Sequence, residues 1–192
     1  MKTFEQIRTY VLYERAKNTD KFYSGFARFY FDRFNNKRTE IKSLLEIGVN
    51  RGGSSLFWKD LFVNAEIYGI DILPRVTRYV EDRIHMAVVN QSKSNQLKEY
   101  AESSGPWDII VDDGSHKVSH QVISFETLWP YVNNGGQYII EDIETSTNPM
   151  YIPKYVDMDL NFVEYCKNIQ ANPPPDVDSI EFLKNMIIFN KK

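Results

Sequence analysis

Two short runs of this chain place carboxylates and a histidine directly after apolar segments. Asp113 and His116 follow the apolar residues 109–111, and Glu141 and Asp142 follow the apolar residues 138–140. Carboxylate oxygens are the ligands that Mg²⁺ and other hard divalent cations accept in proteins. If the two segments are neighbouring parallel strands, their carboxyl ends lie side by side at one edge of the sheet. The spacing therefore predicts a divalent-cation site held by Asp113, Glu141 and Asp142.

His116 supplies the second part of a chemistry that such a site could perform. A cation stabilises the alkoxide that develops when an alcohol attacks, and a histidine can take the proton near neutral pH. Ser115 is expected to cap the following helix, with His116 in its first turn and His120 on the same face in a supporting role. The plainer alternatives are that the aspartates only cap this helix and that Glu141 pairs with a lysine.

A glycine-rich loop follows the first predicted strand. Gly48 and Gly52 lie four residues apart after Glu46, and glycine lets the backbone turn sharply and approach a ligand. Asp71, 23 residues beyond Gly48, closes the next apolar run, where a carboxylate can accept both hydroxyls of a ribose. The loop lacks the Gly-x-Gly-x-x-Gly spacing suited to the pyrophosphate of a dinucleotide. A purely turn-capping role for Asp71 is the simpler alternative.

Short apolar runs alternate with longer segments through most of the chain. Five runs are expected to be buried strands, at 43–48, 66–71, 85–89, 108–112 and 137–141. The segments between them can hold crossover helices, at 54–62, 76–83, 91–103 and 115–129. Two close apolar runs, 179–183 and 186–189, end the chain as a hairpin. The sequence therefore predicts an α/β fold, with a doubly wound, Rossmann-like, mainly parallel seven-stranded sheet and a C-terminal antiparallel hairpin.

The N-terminal segment has a different pattern. Residues 4–36 carry aromatic and aliphatic side chains at mostly helical spacing, which predicts two helices broken near residues 18–20. Tyr23, Phe26 and Tyr30 could cover the site as a lid or form a contact in a homodimer, and packing against the sheet is the plainer alternative.

Composition limits the remaining possibilities. A chain of 192 residues that is 42% hydrophobic can bury one sizeable core, so one domain is expected over 1–192, with a helical N-terminal cover (1–40) and a Rossmann-like core (41–192). No signal peptide or membrane-length apolar run is evident, and the single cysteine, Cys166, fits a reducing cytoplasm. The net charge of −3 argues against nucleic acid or an anionic membrane as partner.

These features together resemble a known family, the class I S-adenosylmethionine-dependent methyltransferases. Within it, the chain is most similar to the metal-dependent sugar O-methyltransferases of macrolide and related glycoside biosynthesis, from about Thr19 to the C-terminus. The resemblance is carried by the runs Leu45-Glu46-Ile47-Gly48-Val49-Asn50-Arg51-Gly52-Gly53-Ser54, Tyr68-Gly69-Ile70-Asp71, Asp112-Asp113-Gly114-Ser115-His116 with His120-Gln121, and Gly135-Gly136 leading to Ile140-Glu141-Asp142.

The resemblance implies roles for individual residues. It implies that Mg²⁺ is held by Asp113, Glu141 and Asp142, and that His116 is the base. It further implies that S-adenosylmethionine is bound by Glu46, Gly48, Asp71, Gln91 and Asp112. The acceptor implied is a carbohydrate or glycoside, such as a rhamnose-like residue. The resemblance assigns no role to residues 146–172 and leaves the particular sugar open.

Three other functions are compatible with parts of the pattern. Catechol-type O-methyltransferases place metal carboxylates at the same two strand ends, but they use an Asp-Asn pair and a lysine base. An NAD(P)-dependent oxidoreductase is disfavoured by the glycine spacing and by the carboxylate cluster. A non-catalytic module that only keeps the cofactor site is disfavoured by the intact set of ligands and base.

Overall fold

The computed structural model describes residues 1–14 and 19–192. The chain divides into two compact units, residues 1–88 and residues 89–192. The predicted helix break near residues 18–20 lies partly outside the described residues. The predictions of a single domain and of a homodimer stay predictions.

The first unit combines N-terminal helices with three parallel strands. Its elements are α1 (Phe4–Glu14), α2 (Lys21–Ser24), α3 (Phe26–Phe34), β1 (Ser43–Ile47), α4 (Gly53–Leu61), β2 (Glu66–Asp71) and β3 (Ile84–Val88). The strands pair in the order β3-β2-β1, with Leu44 opposite Ile67 and Ile67 opposite Ile84. The carboxyl ends of β1, at Ile47, and of β2, at Asp71, therefore lie at the same edge of the sheet, and the glycine loop follows β1 there.

Aromatic packing fixes the N-terminal helices within this unit. Tyr30 is fully buried, and its ring centroid lies 4.7 Å from that of Trp58 on α4. Phe26 is also buried, whereas Tyr23 is 66% exposed. Two of the three aromatic residues considered for a lid or dimer contact thus contribute to the core.

One predicted crossover helix is replaced by a shorter element. Residues 76–83 were expected to be helical, but the structure has a 3₁₀ helix at Pro74–Tyr79 followed by extended backbone at Val80. Val76 is the only side chain of this segment that is fully buried. The segment therefore lacks the apolar face that a longer helix would pack against the sheet.

The second unit contains the carboxylate-bearing strands and the terminal hairpin. Its elements are α5 (Ser94–Ser104), β4 (Trp107–Asp112), α6 (Val118–Leu128), β5 (Val132–Glu141), α7 (Ile152–Tyr155), α8 (Phe162–Ala171), β6 (Val177–Phe182) and β7 (Met186–Lys191). Strands β4 and β5 are parallel, while β7 runs antiparallel to both β5 and β6. Their order is β4-β5-β7-β6.

The register of β4 and β5 positions the predicted site. Asp112 lies opposite Ile140, so the next residues along the two strands, Asp113 and Glu141, reach the same edge. Both faces of β4 are buried, since Ile109, Ile110 and Val111 are each at most 1% exposed. Burial on both faces explains why this strand is a continuous apolar run.

The predicted fold class is confirmed. Seven strands, mainly parallel and ending in an antiparallel hairpin, alternate with helices in a Rossmann-like arrangement. Cys166 is buried in α8, and burial raises the pKa of its thiol, as expected for a packing residue. Among the described residues, the helices are too short or too polar to cross a membrane.

Candidate active site

Three of the predicted functional side chains converge after β4 and β5. Ligand atoms of Asp113, His116 and Asp142 all lie within 4.8 Å of one another. Nε2 of His116 is 3.8 Å from Oδ2 of Asp142 and 4.0 Å from Oδ1 of Asp113. The three side chains are 20–28% exposed, so a ligand can reach them from solvent.

Glu141, the third predicted metal ligand, is not one of these three clustered side chains. It is the last residue of β5 and is 1% exposed. Among the described residues, the cluster that could hold a metal ion comprises Asp113, His116 and Asp142 without it. The proposal that Glu141 binds the metal therefore remains a sequence-based prediction.

His116 does not lie in a helix, contrary to the prediction. Helix α6 begins at Val118, and His116 has a left-handed backbone with φ of 58°. Residues other than glycine rarely adopt this conformation, and strain of this kind clusters at functional sites.

His120 therefore does not share a helical face with His116; its Nδ1 instead lies 2.7 Å from Oγ of Ser115. Burial lowers the pKa of His120.

Asp142 has the same unusual backbone and is held by a residue that the sequence did not suggest. Its φ is 55°, which turns the chain out of β5. Asn185, in the turn between β6 and β7, donates from Nδ2 to Oδ1 of Asp142 at 3.0 Å. Oδ1 of Asn185 accepts from the backbone N–H of Glu144 at 3.0 Å. No sequence signal pointed to Asn185, because it lies outside every motif.

Hydrogen bonds made by Gln91 support the loop that carries Asp113. Nε2 of Gln91 donates to both carboxylate oxygens of Asp112, at 2.7 and 2.8 Å, and Oε1 of Gln91 accepts from the backbone N–H of Ser115 at 2.9 Å. A Cβ atom at position 114 would collide with the side-chain amide of Gln91, so any residue larger than Gly114 would force Gln91 to shift. Gln91 and Asp112, both predicted cofactor residues, are thus in direct contact.

Burial controls the charge of Asp112. Desolvation raises the pKa of its carboxyl to about 7, although hydrogen bonds from Gly114 and Gln91 act in the opposite direction. The folded protein consequently binds one more proton here than the unfolded chain between about pH 4 and pH 7. The contribution of Asp112 to stability therefore falls as pH rises through this interval.

The glycine loop of the first unit is braced by Asp71. Gly48 has a φ of 92°, a left-handed conformation that favours glycine. Oδ2 of Asp71 accepts from the backbone N–H of Asn50 at 2.8 Å, and its Oδ1 accepts from that of Leu73 at 2.9 Å. These bonds match the turn-capping alternative, yet each carboxylate oxygen has a further lone pair for a ribose hydroxyl.

Glu46, another predicted cofactor residue, is buried among three donors. Oγ of Ser54 donates to its Oε2 at 2.6 Å, and Nε1 of Trp58 donates to its Oε1 at 3.0 Å. Nζ of Lys21 lies 3.7 Å from Oε1, with the two side chains only 1% and 0% exposed. Lys21 was not predicted to have a functional role, and the buried ion pair links α2 to β1.

We expect substitution of Lys21 by methionine to lower the free energy of unfolding by about 3–5 kcal/mol, because it leaves the buried carboxylate of Glu46 without its cation. Denaturant unfolding would measure the change. The Lys21→Met/Glu46→Gln double variant should recover part of the loss. Lys98→Met, which removes an exposed pair with Glu102, is the control and should change stability by less than about 1 kcal/mol. Equal losses for the two single variants would contradict the prediction.

Comparison with known proteins identifies the family. A family model described as a methyltransferase domain matches residues 45–143, which is just over half of the chain. The chain belongs to this methyltransferase family. The match begins two residues after the start of β1 and ends two residues after Glu141, so it contains every predicted site residue of the methyltransferase.

Curated relatives narrow the resemblance to sugar O-methyltransferases. The chain is 37% identical over 147 residues to 8-demethyl-8-alpha-L-rhamnosyl tetracenomycin-C 2'-O-methyltransferase of Streptomyces olivaceus, covering 73% of this chain and 39% of the relative. It is 37% identical over 135 residues to mycinamicin VI 2''-O-methyltransferase of Micromonospora griseorubida, covering 67% of this chain and 34% of the relative. The chain thus spans little more than a third of each relative's length.

A solved structure supports the same relationship. The methyltransferase matches the MycE methyltransferase from the mycinamycin biosynthetic pathway, in complex with Mg, SAH and mycinamycin VI, with a TM-score of 0.76 and 30% identity. The match covers 85% of this chain and 48% of MycE. The predicted resemblance to the methyltransferase family is therefore confirmed, and the ligands of MycE include the two kinds predicted here.

Proposed function

We propose that this methyltransferase transfers a methyl group from S-adenosylmethionine to a sugar hydroxyl, with the help of Mg²⁺ or another hard divalent cation. The observation that carries the proposal is the convergence of Asp113, His116 and Asp142, whose ligand atoms lie within 4.8 Å of one another. Relatives named for methylation of rhamnosyl and other sugar-bearing compounds support a carbohydrate acceptor.

The residues present suit a divalent cation. Asp113 and Asp142 offer carboxylate oxygens from two different loops. Both side chains are partly exposed, so water and substrate oxygens could complete the set of ligands, as is usual for Mg²⁺. Such a cation, when bound, would stabilise negative charge on the acceptor oxygen. Glu141 is proposed as a further ligand from the sequence resemblance, and its position beside Asp142 is compatible with that role.

His116 is proposed to move the proton. Its Nε2 faces the two carboxylates, so this nitrogen is directed toward the place where an acceptor hydroxyl would lie. The acceptor oxygen would bond to the methyl carbon of S-adenosylmethionine as the sulfur–methyl bond breaks, which leaves S-adenosylhomocysteine, and its proton would pass to Nε2 of His116 as general base.

The cofactor residues are proposed for each unit separately. In the first unit, Gly48 would allow close approach of the backbone, Asp71 would accept ribose hydroxyls, and Glu46 would keep the loop in place through its buried contacts. In the second unit, Gln91 and Asp112 are proposed as cofactor residues because the sequence resemblance implies that role. S-adenosylmethionine would supply the activated methyl group.

A sugar acceptor is favoured over a catechol by the base. Catechol-type enzymes are expected to use lysine, whereas the cluster among the described residues contains His116 together with two aspartates. The oxidoreductase alternative receives no support from the family match.

The proposal is tested with labelled S-adenosylmethionine and a panel of glycosides, nucleotide sugars and catechols, each with Mg²⁺ and with a chelator. We expect label in at least one rhamnose-like glycoside with Mg²⁺ and little in chelator. Calorimetry with S-adenosylhomocysteine and with NAD separates the enzyme classes, and only the former should bind. Catechol labelling without any glycoside labelling would reassign the acceptor, and binding of NAD alone would overturn the proposal.

A further inference from the structure

The imidazole of His116 lacks the hydrogen bond that commonly orients a catalytic histidine. Its Nδ1 is buried and has no hydrogen-bond partner within the part of the chain that the structure describes. Its Nε2 lies 3.8 and 4.0 Å from the nearest carboxylate oxygens, beyond direct hydrogen bonding. The ring also projects from a strained, non-helical loop. Among the described residues, packing against the ring is therefore the contact that can restrain its plane.

Tyr155 is placed to do so. The centroids of the Tyr155 and His116 rings are 6.1 Å apart, and their planes are inclined at 73°. This edge-to-face arrangement is one that aromatic rings prefer. A ring packed in this way opposes rotation of the imidazole about its side-chain bonds without requiring a polar partner at Nδ1.

Tyr155 is itself fixed by its surroundings. It ends the short helix α7, and its ring lies 6.3 Å from that of Tyr151, in an edge contact. Nζ of Lys154 lies 4.7 Å from the centroid of the Tyr155 ring. These contacts limit the positions that the Tyr155 ring can occupy.

The segment that carries Tyr155 is also tied to the loop that carries His116. Asp157 accepts from the backbone N–H of Ser119 at 2.9 Å and from its Oγ at 2.7 Å, in the first turn of α6. The two segments are therefore joined twice. Asp157 binds Ser119, which is three residues beyond His116, and the ring of Tyr155 contacts the imidazole of His116. These contacts limit how far the two rings can move apart.

We propose that Tyr155 is a positioning residue for the methyl-transfer reaction, which holds the imidazole of His116 with Nε2 directed at the Asp113 and Asp142 carboxylates. The inference rests on the proposed function, because it takes His116 as the base. Residues 146–172, which include Tyr155, fall outside the aligned motifs, and the family match ends at residue 143. The role is therefore assigned by the packing alone.

The test compares Tyr155→Phe with Tyr155→Leu. Phenylalanine keeps the ring and should retain kcat within about threefold, while leucine keeps an apolar side chain without the ring and should lower kcat by roughly tenfold or more. The KM values for acceptor and for S-adenosylmethionine, and the melting temperature, should stay close to those of the unmodified protein. A rise in acceptor KM with unchanged kcat would show that Tyr155 binds the acceptor instead, and would overturn the inference.

A double-mutant cycle separates action through His116 from an independent effect. In the His116→Ala background, Tyr155→Leu should cause no further loss of kcat, because the ring that it positions is gone. Additive losses would overturn the inference. If His116→Ala alone retained full turnover, the proposed base would be wrong, which is a different result from a silent Tyr155→Leu.

A second readout does not depend on activity. Carbon-13 relaxation of the His116 ring in the ligand-free protein should report greater ring motion in Tyr155→Leu than in Tyr155→Phe. Asp157→Ala, which removes both bonds to Ser119, should increase the same motion, whereas Asp159→Ala on the exposed part of the segment should not. An unchanged His116 ring in Tyr155→Leu would contradict the proposed positioning role.

Discussion

Replacement of Asp142 by asparagine is expected to lower Mg²⁺-dependent methyl transfer by roughly 10²-fold or more, because it removes one of the carboxylate ligands proposed for the metal. Asparagine tolerates the left-handed backbone at this position and keeps an oxygen that can accept from Asn185. The variant should therefore fold normally and bind S-adenosylhomocysteine with unchanged affinity. Initial rates over a Mg²⁺ titration would measure the loss.

The same substitution should weaken the effect of the metal on stability. Mg²⁺ is expected to raise the melting temperature of the unmodified protein, because it binds the folded form. It should raise that of Asp142→Asn much less, although the ligand-free variant gains from the loss of repulsion between the carboxylates of Asp113 and Asp142. Asp159→Asn, an exposed carboxylate, is the matched control. Full turnover of the unmodified protein in chelator would exclude a metal role for the cluster.

Substitution of His116 by alanine is expected to lower kcat by roughly 10²- to 10⁴-fold, the usual contribution of a general base. The KM for S-adenosylmethionine should change little, since the proposed role of His116 concerns the acceptor proton. Rates at saturating cofactor and acceptor would give the value. Mg²⁺ binding, followed through the melting temperature, should persist, because both aspartates remain.

The histidine prediction has a matched control within the chain. His85 is exposed on β3 and pairs with Glu66 at 2.6 Å, so His85→Ala should leave kcat unchanged. An unchanged rate in His116→Ala would remove this residue as the base. Equal losses in both histidine variants would indicate a general effect on folding rather than on proton transfer.

Strand positions could be predicted because their sequence signal is local. The runs ending at Asp112 and Glu141 are apolar on both faces, which is typical of buried parallel strands. Parallel pairing then brings Asp113 and Asp142 to one edge, and the structure places their carboxylates in one cluster. The proximity of the two aspartates could therefore be predicted from the sequence, whereas a metal-binding role for Glu141 stays a prediction.

Loop conformation was less accessible. His116 was expected in a helix because Ser115 is a good capping residue, but the left-handed backbone at His116 delays the helix to Val118. A conformation that costs free energy locally cannot be inferred from propensity, since propensity describes what is locally favourable. The supporting residues Asn185 and Tyr155 share this difficulty, because each acts through a contact between segments distant in sequence.

Asn185 has a practical consequence for anyone who isolates the catalytic region. It lies 43 residues after Asp142, whereas the family match ends at residue 143. A fragment cut at the limits of that match would carry every side chain that sequence comparison assigns to the site. It would nevertheless lack β7, which pairs with β5, and the turn that orients Asp142. We therefore expect that a fragment able to transfer a methyl group must extend past residue 143 and include both β7 and Asn185.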